Sequence, residues 1–233
     1  MRLLLPAALL LAALLSVTPA GSAQGGRRAQ LPPPPPKPLP SADELFERGR
    51  VEGSTYTNDF FGLSFSVPAG WTILDRESMK AARERAKALF RNETDPTVKR
   101  QLEESVERTT SLFSASRLPA TPAGAFNAVL LCAAERVPTA IVKTPRDYYD
   151  LMMHSMKLSQ GIDVVVVEPF RPRRIGATDF GTFTLRLKAD TGIMMQKQII
   201  TVKSAYVLGI VYTYVEESDT PAFDKVISSI KTR

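Results

Sequence analysis

Residues 182–188, 193–203 and 205–215 follow one another with only short gaps, and each reads as a β-strand. Phe183, Leu185 and Leu187 alternate with Thr184, Arg186 and Lys188 in the first. Asp190-Thr191-Gly192 and Lys203-Ser204-Ala205 are turn sequences, so the three strands are expected to pair antiparallel. A run of this kind commits the second half of the chain to a sheet. What covers the sheet is predicted from the neighbouring segments. Residues 126–134 are apolar on both alternating faces and read as a central strand, and residues 164–168 as a further one. Phe223, Val226, Ile227 and Ile230 recur at helical spacing, so a closing helix is expected to dock on the sheet.

Upstream, Leu63, Phe65 and Val67 alternate with Ser64, Ser66 and Pro68, the pattern of a half-buried strand. Residues 77–91 are rich in helix formers. Asp95 and Pro96 then open a second helix, with Val98, Leu102 and Val106 on one narrow stripe. Thr144 caps another helix, with Asp147 three residues on, among Leu151, Met152, Met153, Met156 and Leu158.

The N-terminal 54 residues have a different character. Arg2, the apolar run at 3–15 and the small residues Thr18-Pro19-Ala20-Gly21-Ser22-Ala23 are the three parts of a secretory signal, so residues 1–23 are expected to be removed near Ala23. The apolar run is shorter than the roughly 20 residues a membrane-spanning helix needs. No later segment is long and apolar enough to span, and the mature chain is expected outside the cytoplasm, secreted or periplasmic. Residues 24–54 hold a proline-rich spacer, Leu31 to Pro40, and a short helix at 41–50 with Ser41 and Glu44 in capping-box positions. The folded domain is expected over 55–233, about 180 residues and enough for a substantial core.

Cys132 is the only cysteine and His154 the only histidine. No disulfide framework and no soft-metal site of ordinary type is available within one chain, and no cofactor is expected. Cys132 reads as a small buried residue and His154 as a helix residue. No nucleophile elbow, P-loop or dinucleotide fingerprint is present. Neighbouring acids such as Glu103-Glu104 and Glu216-Glu217 point apart and read as solvated. The charge balance, 30 Lys+Arg against 24 Asp+Glu, is spread along the chain and does not suit a nucleic-acid binder.

Tyr56-Thr57-Asn58-Asp59-Phe60-Phe61-Gly62-Leu63-Ser64-Phe65-Ser66-Val67-Pro68-Ala69-Gly70-Trp71 resembles the opening segment of the PsbP-like superfamily, and residues 223–231 resemble its closing helix. Members include the extrinsic protein of photosystem II and the envelope protein DcrB. The resemblance implies an α/β/α sandwich around a mostly antiparallel sheet, with residues 77–109 as an inserted helical hairpin. It carries over no functional residue. The signal, the spacer, the missing catalytic set and the resemblance together point to a non-catalytic exported protein, expected as a monomer, that binds or helps assemble an envelope partner. An extracytoplasmic hydrolase using carboxylates and an anion- or lipid-binding module are the alternatives.

The candidate partner-binding residues are Arg173, Arg174, Thr184, Arg186, Lys188, Gln196 and Gln198. Arg171-Pro172-Arg173-Arg174 is the densest basic cluster, suited to an anionic surface. Whether Thr184, Arg186, Gln196 and Gln198 share one face depends on the turn at 190–192. A three-residue turn sets Arg186 opposite Gln196 and Thr184 opposite Gln198, a continuous polar patch. A two-residue turn sets Leu185 opposite Gln196 and breaks it. Gly192 suits the left-handed position of the longer loop, which favours the three-residue register.

Overall fold

A computed structural model describes residues 41–89, 96–118, 127–158, 163–189 and 192–233. The expected signal segment at 1–23, the spacer up to Pro40, and Asp95 as a helix cap lie outside these residues.

The chain is mixed α/β, with two antiparallel sheets and five helices among the described residues. In chain order the elements are α1 (Ala42–Glu47), β1 (Gly49–Glu52), β2 (Thr55–Asn58), β3 (Leu63–Ser66), β4 (Thr72–Ile73), α2 (Arg76–Leu89), α3 (Pro96–Glu107), β5 (Thr109–Ser116), β6 (Val129–Arg136) and α4 (Pro145–Leu158). Then come β7 (Asp163–Ile175), β8 (Thr178–Ala189), β9 (Gly192–Lys203), β10 (Tyr206–Tyr214), α5 (Thr220–Ser229) and β11 (Lys231–Thr232). The larger sheet has the order β4-β5-β6-β10-β9-β8-β7, which leaves β7 at an edge. The smaller sheet has the order β1-β2-β3-β11.

Alternation along the central strands supplies two cores. Leu131 and Ala133 of β6, Val207 and Val211 of β10, and Phe183, Leu185 and Leu187 of β8 face α4, which brings Tyr148, Met152 and Met156. Leu102 and Val106 of α3 join that core. On the other face Leu130, Cys132, Leu208, Ile210 and Tyr212 meet the small sheet and α5. The ring of Phe223 on α5 lies parallel to Tyr212 with centroids 5.2 Å apart, which seats the helix. The sandwich therefore differs from the simple α/β/α expectation: its second outer layer is shared between a four-stranded sheet and one helix. The packing also reaches back beyond Thr55. Leu45 of α1 is buried among Tyr56, Phe65 and the β5 side chains, so the packed structure includes the helix opened by the Ser41–Glu44 capping box.

Two caps follow the sequence closely. At α4, Thr144 Oγ1 accepts from the Asp147 amide at 3.2 Å, and the Asp147 carboxylate accepts from the Thr144 amide at 2.8 Å. At the β9–β10 turn, Tyr206 pairs with Lys203 and the two linking residues take positive φ, 56° at Ser204 and 63° at Ala205. That is the twist a two-residue hairpin demands.

Candidate functional site

The β8–β9 register settles which predicted site residues meet. Ala189 pairs with Gly192, Leu185 with Gln196 and Phe183 with Gln198, so the three-residue register is overturned. The cause is hydrophobic matching, which outweighs turn preference. Met194 and Ile200 on β9 belong to the α4-side core with Phe183, Leu185 and Leu187, and only this register puts all five on one face. Gln196 and Gln198 are carried with them and are fully buried. They form a polar row inside that face. Gln196 Nε2 donates to Thr213 Oγ1 at 3.2 Å, and Gln198 Nε2 donates to Gln196 Oε1 at 3.1 Å. Their role is therefore internal, and the continuous surface patch does not form.

Thr184, Arg186 and Lys188 lie on the opposite face, the one that carries α5. Thr184 is buried there, while Arg186 and Lys188 are exposed. Arg173 and Arg174 are separated as well. Arg173 pairs with Phe180, which places it on the α5 side; Arg174 pairs with Asp179 and points to the other side. Arg174 is also occupied, with Nη1 3.4 Å from the Asp179 carboxylate. Of the seven candidates, Arg173, Thr184, Arg186 and Lys188 share one face.

What shapes that corner is the long edge strand β7. Its pairing with β8 shifts register between Val166 and Glu168 and again between Glu168 and Arg171. Pro169 and Pro172 fall in or beside these bulges, where a missing N–H costs the ladder least. Phe170 anchors the bulged stretch. Its ring packs on Tyr149 with centroids 5.3 Å apart, lies under the Arg146 guanidinium and crosses Gly181. A Cβ on Gly181 would sit 2.1 Å from that ring. With Phe170 drawn to the α4 side, Arg171 is turned to the α5 side, opposite Thr182.

A cleft of about 180 Å³ results, walled by Glu168, Pro169, Arg171 and Arg173 on one side and by Asp224 and Ile227 of α5 on the other. Thr182, Thr184 and Lys197 lie along its floor. The acids of the cleft are engaged. Glu168 accepts a hydrogen bond from Thr184 Oγ1, and Asp224 is paired with Lys197 Nζ at 3.3 Å. Arg171 and Arg173 have no side-chain partner among the described residues, and neither do Arg186 and Lys188 farther along the same face. Sequence reasoning missed Arg171's place beside Arg173, the role of Lys197 and the contribution of Asp224 from α5. The Arg171-Pro172-Arg173 spacing was the available signal, since residues two apart share a strand face.

The other singled-out residues lie elsewhere. His154 is exposed on α4, and Cys132 is fully buried in β6, where burial raises its thiol pKa well above the ordinary range. Glu216 and Glu217 are exposed. No group of three or more His, Cys, Asp or Glu side chains suited to a metal occurs among the described residues. No helix there is long and apolar enough to cross a membrane.

Fold and cleft together define an α/β protein with an edge-strand corner that is open and cationic. No protein-family model matches the chain, and no curated protein matches it. Among solved structures it is similar to cyanobacterial PsbP (CyanoP) from Synechocystis sp. PCC 6803, at 15% identity and a TM-score of 0.47, over 77% of this chain and 91% of that one. It is also similar to LpqN of Mycobacterium tuberculosis, a protein involved in cell envelope biogenesis, at 10% identity and a TM-score of 0.42, over 73% and 83% of the two chains. PA94 from Pseudomonas aeruginosa follows at 14% identity and a TM-score of 0.40, over 54% and 81%.

Proposed function

We propose that this is a non-catalytic protein of the cell envelope or exterior that binds a partner through the α5 side of the β7–β8 corner. Residues 1–23 direct export, and the proline-rich stretch within 24–54 holds the domain away from its attachment or neighbours. Residues 77–109 are read as an insertion in a PsbP-like pattern, and within them Leu102 and Val106 of α3 join the α4-side core, away from this corner.

One observation carries the reading. Arg171, Arg173, Arg186 and Lys188 project from one sheet face without ion-pair partners among the described residues, whereas the acids of the adjoining cleft are held by Thr184 and Lys197. Exposed cations left free in this way attract an anionic partner and raise its rate of encounter. The carboxylate-hydrolase alternative draws less support, because the groups left without a partner at this corner are cations, whereas Glu168 and Asp224 each already hold one.

The test is capture of a cross-linked partner from the protein's own envelope fraction. Wild type is compared with a variant carrying Arg171→Gln, Arg173→Gln, Arg186→Gln and Lys188→Gln. The variant should keep its melting temperature and lose the captured species. Retention of the same species at the same yield by a folded variant would sink the proposal.

A further inference from the structure

The cleft beside the free arginines is built for a narrower class of ligand than an anionic surface in general, and this inference rests on the binding face proposed above. Arg171 and Arg173 are two residues apart on β7, pair with Thr182 and Phe180 on β8, and so stand side by side on one face. Each guanidinium offers five donors in a fixed fork, and a single fork already satisfies a carboxylate. Two unpartnered forks at one wall suit a group with more acceptor oxygens and more charge, a phosphate. Groups of the opposite kind flank them, Glu168 farther along the same wall and Asp224 across the floor on α5. Glu168 keeps acceptor capacity beyond its bond from Thr184, and Asp224 is exposed at the α5 wall and keeps capacity beyond its pair with Lys197. Carboxylates in that position accept from hydroxyls. The volume, about 180 Å³, lies below the range of sites for drug-sized ligands and fits a headgroup-sized molecule.

We infer that this cleft binds a hydroxyl-bearing phosphate ester, with the phosphate on Arg171 and Arg173 and the hydroxyls toward Glu168 and Asp224. A polyol phosphate of this chemistry exists both as a free ester and as the headgroup of a glycerophospholipid. Glycerol 3-phosphate is the probe for the shared chemistry, titrated by calorimetry at about physiological salt so that diffuse attraction is screened.

Saturable binding is expected in wild type. Losing one fork should weaken it about tenfold or more in Arg171→Gln and in Arg173→Gln. Arg174→Gln, on the same strand but the opposite face and outside the cleft, should bind as wild type does. Flotation with phosphatidylglycerol vesicles, set against pure phosphatidylcholine, then separates the sources. Vesicle binding displaced by glycerol 3-phosphate assigns the lipid headgroup; binding of the free ester without vesicle binding assigns the soluble ester. Absence of saturable glycerol 3-phosphate binding overturns the inference, as does equal weakening by Arg174→Gln. If partner capture still depends on the arginines in that case, the phosphate class is wrong and the binding face stands. If the ester binds while capture ignores the arginines, the face proposal fails and the cleft stands.

Discussion

Replacing Glu135 with glutamine should remove a pH dependence of folding stability that runs from about pH 4.5 to about 7. Glu135 lies on β6 with no exposed surface. Its carboxyl accepts from Ser105 Oγ on α3 at 2.8 Å and from Tyr148 OH on α4 at 2.7 Å, and the Arg108 guanidinium stands 3.7 Å away. Burial is the dominant influence and pushes this carboxyl from its ordinary 4.5 up to about 7; the two hydroxyls and Arg108 oppose it. The folded protein therefore keeps a proton that the unfolded chain has already lost. Stability is fully present below pH 4.5 and falls as pH rises, by up to about 1.4 kcal/mol per unit, until the folded carboxyl ionises near 7. The whole swing is on the order of 3 kcal/mol, a large share of a domain's stability. Urea unfolding at about pH 5, 6, 7 and 8 would measure it, with Glu135→Gln as the reference, since glutamine keeps the hydrogen-bonding shape without the ionisation. The wild-type curve should lose stability relative to the variant across this window and run parallel to it above. Parallel curves throughout would refute the reasoning. Glu135→Ala is a different experiment: it removes the acceptor of two buried hydrogen bonds and should cost about 2 kcal/mol or more at every pH.

Three further outcomes are expected. Gly181→Ala drives a methyl into the Phe170 ring and should destabilise the fold by about 1–3 kcal/mol, with the β7 amides exchanging faster. Ala205→Gly relieves a positive φ in the β9–β10 turn and should raise the urea midpoint, by up to about 1 kcal/mol of stability. The Cys132 thiol, buried and held protonated, should resist a thiol reagent in native protein and react at once in urea.

The elements legible in the sequence are those with a local period or a local cap. Strands β8 to β10, the α4 cap at Thr144 and the α5 stripe of Phe223, Val226 and Ile227 each announce themselves within a dozen residues. Strand β5, Thr-Thr-Ser-Leu-Phe-Ser-Ala-Ser, does not. It carries no apolar alternation, and its place between β4 and β6 buries Thr109, Ser114 and Ser116. Strand β7 continues through Pro169 and Pro172 because an edge strand with bulges tolerates what a central one cannot. The site was half legible for the same reason. Arg173, Arg186 and Lys188 could be placed on faces by counting, but the fate of Gln196 and Gln198 was decided by α4. A helix docked from thirty-odd residues upstream needed Met194 and Ile200 under it, and a turn sequence carries no record of that demand.

The small sheet has an uneven construction whose consequence is temporal. Three of its strands come from residues 49–66, yet the fourth, β11, and the covering helix α5 come from residues 220–232. Arg233 adds its own amide to the Gly62 carbonyl at 2.9 Å. Until residues 220–232 have docked, β3 has an open edge and Leu63 and Phe65 lack part of their cover. Closure across nearly the full length of the described chain makes the slowest kind of contact. The small sheet therefore closes only once residues 220–232 have docked, so a chain truncated before Thr220 is expected to leave β3 unpaired on that side.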